Sequence, residues 1–274
     1  MIGTMKERSA RVIAVTSGKG GVGKTNVSVN LSVALGRMGK QAMLVDGDFG
    51  LANANIMLGL NSTATIADLL TRDCGLEEVI QKGPAGLMLV PGHSGTHSHS
   101  ALGADGRRRL ASAFRPYAQD VDHVVVDTAS GIGAEAMSLV ATSDVILLVL
   151  SSEPTAFMDA YQLVKVLALD HHRTDISVVT NMVDDDEAGR QLFRHFEEVV
   201  KRFLPTRLSH LGSIPRDDHV RDAVLSKRCC MEAFPESRAS AAFSRLARTL
   251  SDAELPLTGG GDRFFGMEAV HAAH

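Results

Sequence analysis

Only three cysteines occur in the 274 residues, Cys74, Cys229 and Cys230. That is too few for a disulfide framework, the adjacent pair fits no usual zinc spacing, and no C-x-x-C occurs. Free thiols in a reducing cytoplasm are expected. Long apolar runs are also missing: "VILLVL" is far too short to span a bilayer. The start, "MIGTMKERSA", has no apolar central region, so no secretory signal is expected. Nor is there a large charge of either sign. A net charge of −4 argues against a chain built as a whole to bind polyanions, although the arginines between Lys201 and Arg248 leave room for a local basic patch. What remains is a cytoplasmic globular chain with membrane contact only at its surface. It is 45% hydrophobic, and long enough for one large domain or two small ones.

Short apolar, β-rich runs alternate with helical patterns along most of the chain. "RVIAV" (Arg11–Val15), "QAMLVD" (Gln41–Asp46), "GLMLVP" (Gly86–Pro91), "HVVVD" (His123–Asp127), "DVILLVL" (Asp144–Leu150), "ISVVTN" (Ile176–Asn181) and "LSHLGSI" (Leu208–Ile214) read as strands. Most lack strict alternation, as expected of strands buried on both faces of a parallel sheet. Helical spacing marks Lys24–Met38 (Val27, Leu31, Leu35), Thr155–Leu169, Glu187–Phe203 and Ser237–Leu250. The alternation predicts one α/β domain over residues 11–255, with a mostly parallel central sheet and helices on both faces. Residues 1–10 read as a flexible N-terminal segment. Residues 256–274, which hold Pro256 and the Gly259–Gly261 run, read as a linker and tail.

Residues Gly18 to Thr25 match G-x-x-x-x-G-K-[ST] completely, between a predicted strand and a predicted helix. The backbone of Gly18, Lys19, Gly20, Gly21, Val22 and Gly23 is expected to turn its N–H groups toward phosphate oxygens, and the helix start at Lys24, Thr25 and Asn26 adds its positive end. Lys24 would neutralise the β- and γ-phosphates and Thr25 would ligate Mg²⁺. In "LVDGDFG", Asp46 and Asp48 follow a strand, with i, i+2 spacing that keeps both carboxylates near a metal and an attacking water. "VVVDTASGIG" ends another strand with Asp127, placed to hold the Mg²⁺ water shell, and Gly131 and Gly133 free the next loop to sense the γ-phosphate. The histidines of "HSGTHSHS" (His93, His97, His99) have no neighbouring cysteine or carboxylate and read as a solvated loop.

The form "KGGVGKT" resembles the deviant phosphate loop of the MinD/ParA class of P-loop ATPases, with Lys19 in the place of that class's signature lysine. "DGDFG" and "DTASGIG" are similar to its two switches. "VVTNM", with Asn181, and "SIPRDD", with Pro215, Arg216 and Asp217, are similar to its two adenine-recognising segments. Within the class, "GKTNVSVNLSVALGRMGK", "DFGLANANIMLGL", "SSEPTAFMDAY" and "MEAFPESRASAAFSRLA" resemble the FlhG/FleN branch. Gly47 and Ser17 stand where that pattern has alanine and glycine, and no "DQAxxLR" motif is found.

The resemblance implies a weak ATPase, using ATP and Mg²⁺, that forms a homodimer on ATP binding and regulates flagellar number and placement. Its implied partners are a sigma-54-type flagellar transcription activator and a signal-recognition-type GTPase. Lys19, Lys24 and Asp48 would be catalytic, Lys19 by reaching the partner subunit's nucleotide and Asp48 by orienting the lytic water. Thr25, Asp46 and Asp127 would serve the metal. No specific DNA binding is expected, and peripheral contact with the membrane or cell pole would be weak and through the tail. Alternatives within the class are a ParA-like partitioning ATPase and a MinD-like division-site ATPase. An iron–sulfur reductase of this fold is excluded, because no cysteine lies between Asp127 and Val140.

Overall fold

The computed structural model describes residues 10–48, 52–72, 74–92, 104–252 and 264. Eight strands form one sheet: β1 (Arg11–Thr16), β2 (Ala42–Gly47), β3 (Gln81–Lys82), β4 (Met88–Val90), β5 (His123–Thr128), β6 (Val145–Leu150), β7 (Asp175–Val183) and β8 (Arg207–Pro215). Their order across the sheet is β3-β4-β2-β5-β1-β6-β7-β8. All neighbours run parallel except β3, which pairs antiparallel with β4 at the edge. The helices are α1 (Lys24–Arg37), α2 (Ala54–Met57), α3 (Ile66–Thr71), α4 (Leu76–Val79), α5 (Ala104–Phe114), α6 (Ala134–Thr142), α7 (Pro154–Leu169), α8 (Asp186–Phe203), α9 (Asp218–Leu225), α10 (Cys230–Ala233) and α11 (Arg238–Asp252).

The central strands β2, β5 and β6 are buried at every position. This agrees with unbroken apolar runs in a sheet covered on both faces. Alternate residues serve the two layers. Ile13, Val15, Leu44, Val125, Leu147 and Val179 pack with α1, α10 and α11. On the other face, Ala14, Ile146, Leu148 and Val178 meet α6, α7 and α8. Val12, Met43, Val45, Val124 and Val126 meet α3 and α4 on that same side.

Helix α1 lies between the sheet and α11, so it is buried nearly all round and its polar residues need internal partners. Ser32 Oγ donates to the Ser28 carbonyl at 2.7 Å, and Asn30 Oδ1 accepts from the Met231 N–H at 2.9 Å. The second bond ties α1 to α10, in the "MEAF" stretch that lies far along the chain. Cys229 and Cys230 are buried there as free thiols, and burial pushes Cys229 up to about 11.

The expected helices and strands are found within a few residues of their predicted ends. Too short to leave a period, α2, α4, α10 and β3 were not anticipated, and neither were α3, α5, α6 and α9. His93, His97 and His99 lie outside the described residues, as does the 256–274 tail except Phe264, whose ring meets Phe114 edge-on at 5.4 Å. Among the described residues no helix is long and apolar enough to cross a membrane.

Candidate nucleotide-binding site

In a parallel sheet all strands end on the same side, and the predicted site residues collect there. β1 lies between β5 and β6, with connections departing to both sides, which is the position where open α/β sheets bind ligands. The segment from Ser17 to Gly23 leaves β1 and enters α1. Gly23 sits at the N-cap with φ 86°, and the first turn of α1 carries no acidic residue. The helix start therefore keeps its N–H groups and positive end for an external anion.

Lys24 is buried, its side chain 8% exposed, and its Nζ lies 2.8 Å from Asp127 Oδ1. The same oxygen accepts a hydrogen bond from Ser28 Oγ at 2.9 Å. Ser28 was not singled out from the sequence, but its place four residues after Lys24 puts both on one helical face. Asp127 is the cross-strand neighbour of Asp46, in register between β5 and β2. Asp46 Oδ2 accepts the N–H groups of Asn53 and Ala54 at 3.0 and 3.1 Å, and its Oδ1 accepts that of Asp48 at 3.2 Å. Burial, and then the charge of Asp127, raise Asp46 to about 7.

Asp46 and Asp127 offer two hard carboxylates, and Thr25, which follows Lys24 in the first turn of α1, offers a hydroxyl. Among the described residues no group of three histidine, cysteine or acidic side chains could cage a metal. Mg²⁺ suits such a site, because it retains waters and takes one or two protein oxygens together with phosphate.

Lys19 has different surroundings. Its Nζ donates to Thr155 Oγ1 at 2.8 Å and lies 3.2 Å from Glu153 Oε2, at the start of α7 in the same chain. Its side chain is 39% exposed and that of Glu153 66%. Neither partner was singled out. "SSEPT" follows β6, and a proline at the first helical position marks the start of α7, but only the β1–β6 pairing brings it to the loop.

The base-recognition candidates divide. Asn181, at the end of β7, is buried, and its Nδ2 donates to the Val22 carbonyl of the loop at 2.7 Å. Pro215 closes β8 and is buried, and Arg216 is exposed. Asp217 caps α9: its Oδ1 accepts the His219 N–H and meets His219 Nδ1 at 2.8 Å, while Oδ2 accepts the Ala239 N–H at 3.0 Å. Burial disfavours its charge, but these bonds hold it below the usual carboxylate range.

A family model described as "AAA domain" matches residues 10–178. The antiactivator FleN of Pseudomonas aeruginosa is 44% identical over 260 residues, covering 95% of this chain and 93% of that protein. The flagellum site-determining protein YlxH of Helicobacter pylori is 30% identical over 88% of this chain and 82% of its own length. Among solved structures, the septum site-determining protein MinD of Pyrococcus horikoshii, complexed with Mg-ADP, superposes with a TM-score of 0.72 at 27% identity. That match covers 89% of this chain and 96% of MinD.

Proposed function

The chain belongs to the FlhG/FleN branch of the MinD/ParA class of P-loop ATPases, and from that premise we propose that it is an ATP-switched dimer regulating flagellar number and placement. In this reading it restrains a sigma-54-type transcription activator, works with a signal-recognition-type GTPase, and uses weak hydrolysis to reset. The name of the Helicobacter pylori relative, a flagellum site-determining protein, supports the flagellar part, and that of the Pseudomonas aeruginosa relative, an antiactivator, supports the restraint of an activator.

The switch part is carried by one observation: the two loop lysines are held differently. Lys24 is committed to the interior of its own subunit. Lys19 stands at the rim, held by an exposed carboxylate and a hydroxyl that water can replace.

Arriving phosphates would take over the Lys24 ammonium from Asp127 and meet the N–H groups of the loop and of the α1 start. Thr25, Asp46 and Asp127 would hold Mg²⁺, which when bound neutralises phosphate charge. Asp48, directly after β2, orients the attacking water. Asn181, Pro215, Arg216 and Asp217 border the base. Lys19 leaves Glu153 and Thr155 and reaches the partner subunit's nucleotide.

Removing a charge-assisted contact to phosphate is expected to cost on the order of 1.5–3 kcal/mol. Lys19→Ala should thus weaken ATP-dependent dimerisation and hydrolysis more than ATP binding by the monomer. Size-exclusion chromatography with a non-hydrolysable ATP analogue tests this, and a fully dimeric variant would refute the proposal. Asp48→Ala should accumulate as the ATP dimer and retain the transcription activator in a pull-down.

A further inference from the structure

The sheet ends differently on its two sides. β3, at one edge, has two residues, whereas β8, at the other, has nine. An edge strand offers free N–H and C=O groups to any further strand, so proteins commonly shorten, charge or cover it. β8 carries a bulge: Val178 pairs with His210 and Val179 with Gly212, which leaves Leu211 as the extra residue. Before the bulge the edge is regular. The Arg207 N–H bonds to the Thr174 carbonyl at 2.7 Å, so Arg207 turns its backbone groups inward to β7. Inward and outward residues alternate in a parallel ladder, and the N–H and C=O of Leu208 and His210 therefore face away from the sheet. Among the described residues nothing bonds to them.

This edge lies in a trough between two helices. α8 packs on β8 from one layer and α11 from the other, and a cleft of about 250 Å³ opens between them beside the bulge. Arg190 lines its α8 wall, Arg245 its α11 wall, and Asp186 is the one carboxylate of the lining. Arg245 lies 3.8 Å from Asp186, with both side chains 56% exposed, and Arg190 shares Glu187 with Arg194. Such exposed pairs are weak, so both guanidinium groups are available to another carboxylate. The His210 ring is stacked on Phe193 at 4.9 Å, and burial holds it below its usual pKa, so it adds no charge at neutral pH.

We propose that β8 is a docking edge for an extended acidic segment of a partner protein. The segment adds a strand to the sheet through the outward groups of Leu208 and His210. Successive residues of a strand point to opposite faces, so acidic residues at neighbouring positions reach Arg190 on one wall and Arg245 on the other. A second copy of this chain fits less well, because it would set these arginine-lined walls against their own kind. The tail of this chain is met elsewhere: Phe264 packs on Phe114 of α5, in the cluster under β2 and β4. The cleft shares no residue with the nucleotide site, so the inference stands apart from that reading.

Fluorescence anisotropy with the labelled synthetic peptide "TVTEETVT", and with "TVTKKTVT" as its charge-reversed counterpart, tests the proposal on the full chain. The acidic peptide should bind wild type more than about tenfold tighter, and Arg190→Glu and Arg245→Glu should each weaken it on the order of fivefold. His210→Pro removes an outward N–H without touching a bond to β7, and should abolish binding. His210→Ala keeps that N–H and should bind within about twofold of wild type. Thermal melting confirms that each variant is folded. If the proline variant is not, a copy of the acidic peptide methylated on alternate backbone nitrogens replaces it and should fail to bind. Equal affinity for the two peptides, or no binding of either at millimolar concentration, would overturn the proposal. So would binding of the acidic peptide that survives both His210→Pro and backbone methylation, since charge attraction alone would then account for it. Nucleotide-free dimerisation of the chain, lost in His210→Pro, would give the edge to a second copy and likewise refute the acidic partner.

Discussion

Lys24 and Lys19 stand at the two ends of one loop, five residues apart, and differ in what governs the behaviour of a charge. Lys24 is out of water, 2.8 Å from a carboxylate that is itself 1% exposed. Lys19 is more than a third exposed and its carboxylate about two-thirds. A buried pair is expensive to break by removing one member, because the other charge is stranded, whereas an exposed pair contributes little. The loop therefore has a fixed end that belongs to the fold and a loose end that is free to find another partner.

The strongest way to break the comparison is Lys24→Ala. With Asp127 left buried and unpaired, the nucleotide-free protein should lose about 3–5 kcal/mol, read by denaturant unfolding, and calorimetry should find no ATP binding. Adding Asp127→Asn should restore much of the stability and none of the binding. Ser28→Ala removes a hydrogen bond to the same carboxylate and should cost about 1.5–3 kcal/mol by the same measurement.

Asp46 sharpens the picture of the fixed end through pH. Its folded value of about 7 lies above the usual 3.8, so between those values the folded state keeps a proton that the unfolded chain has lost. Stability of the nucleotide-free protein should fall as pH rises from about 4 to about 7 and lose this dependence above. Melting temperatures across that range should show a shallower slope in Asp46→Asn. The smallest effect is expected at the loose end. Glu153→Ala should lower the ATP concentration needed for dimerisation by no more than about fivefold, since an exposed pair is worth roughly 0.2–1 kcal/mol.

The fixed end was largely legible in the sequence, because its residues belong to contiguous motifs that the strand–loop–helix pattern places directly. Lys24, Asp46 and Asp127 could be assigned to one end of a parallel sheet without knowing which strands pair. Their mutual geometry could not, since the Asp46–Asp127 register depends on β2 and β5 lying side by side although β3 and β4 intervene in the chain. The loose end was legible only as an extra lysine. Its partners lie 134 and 136 residues away, at the start of a helix whose sequence signals only a cap. Asp217 teaches the same lesson from the other side. Read with the base-recognising segment, it also gives both carboxylate oxygens to N–H groups of α9 and α11.

Gly18 joins the loop to the rest of the molecule in a way that has mechanical meaning. It approaches α7 so closely that a Cβ there would overlap the backbone of Asp159 and Ala160. Most elements in a protein meet through side chains, whose rotamers give the joint some slack. Here main chain meets main chain, with no rotamer to take up a displacement, so the helix and the loop behave as one stiff piece. The far side of that helix exposes Met158 and Leu169 to solvent. A displacement of that helix would meet the Gly18 end of the phosphate loop with no side chain between them to absorb it.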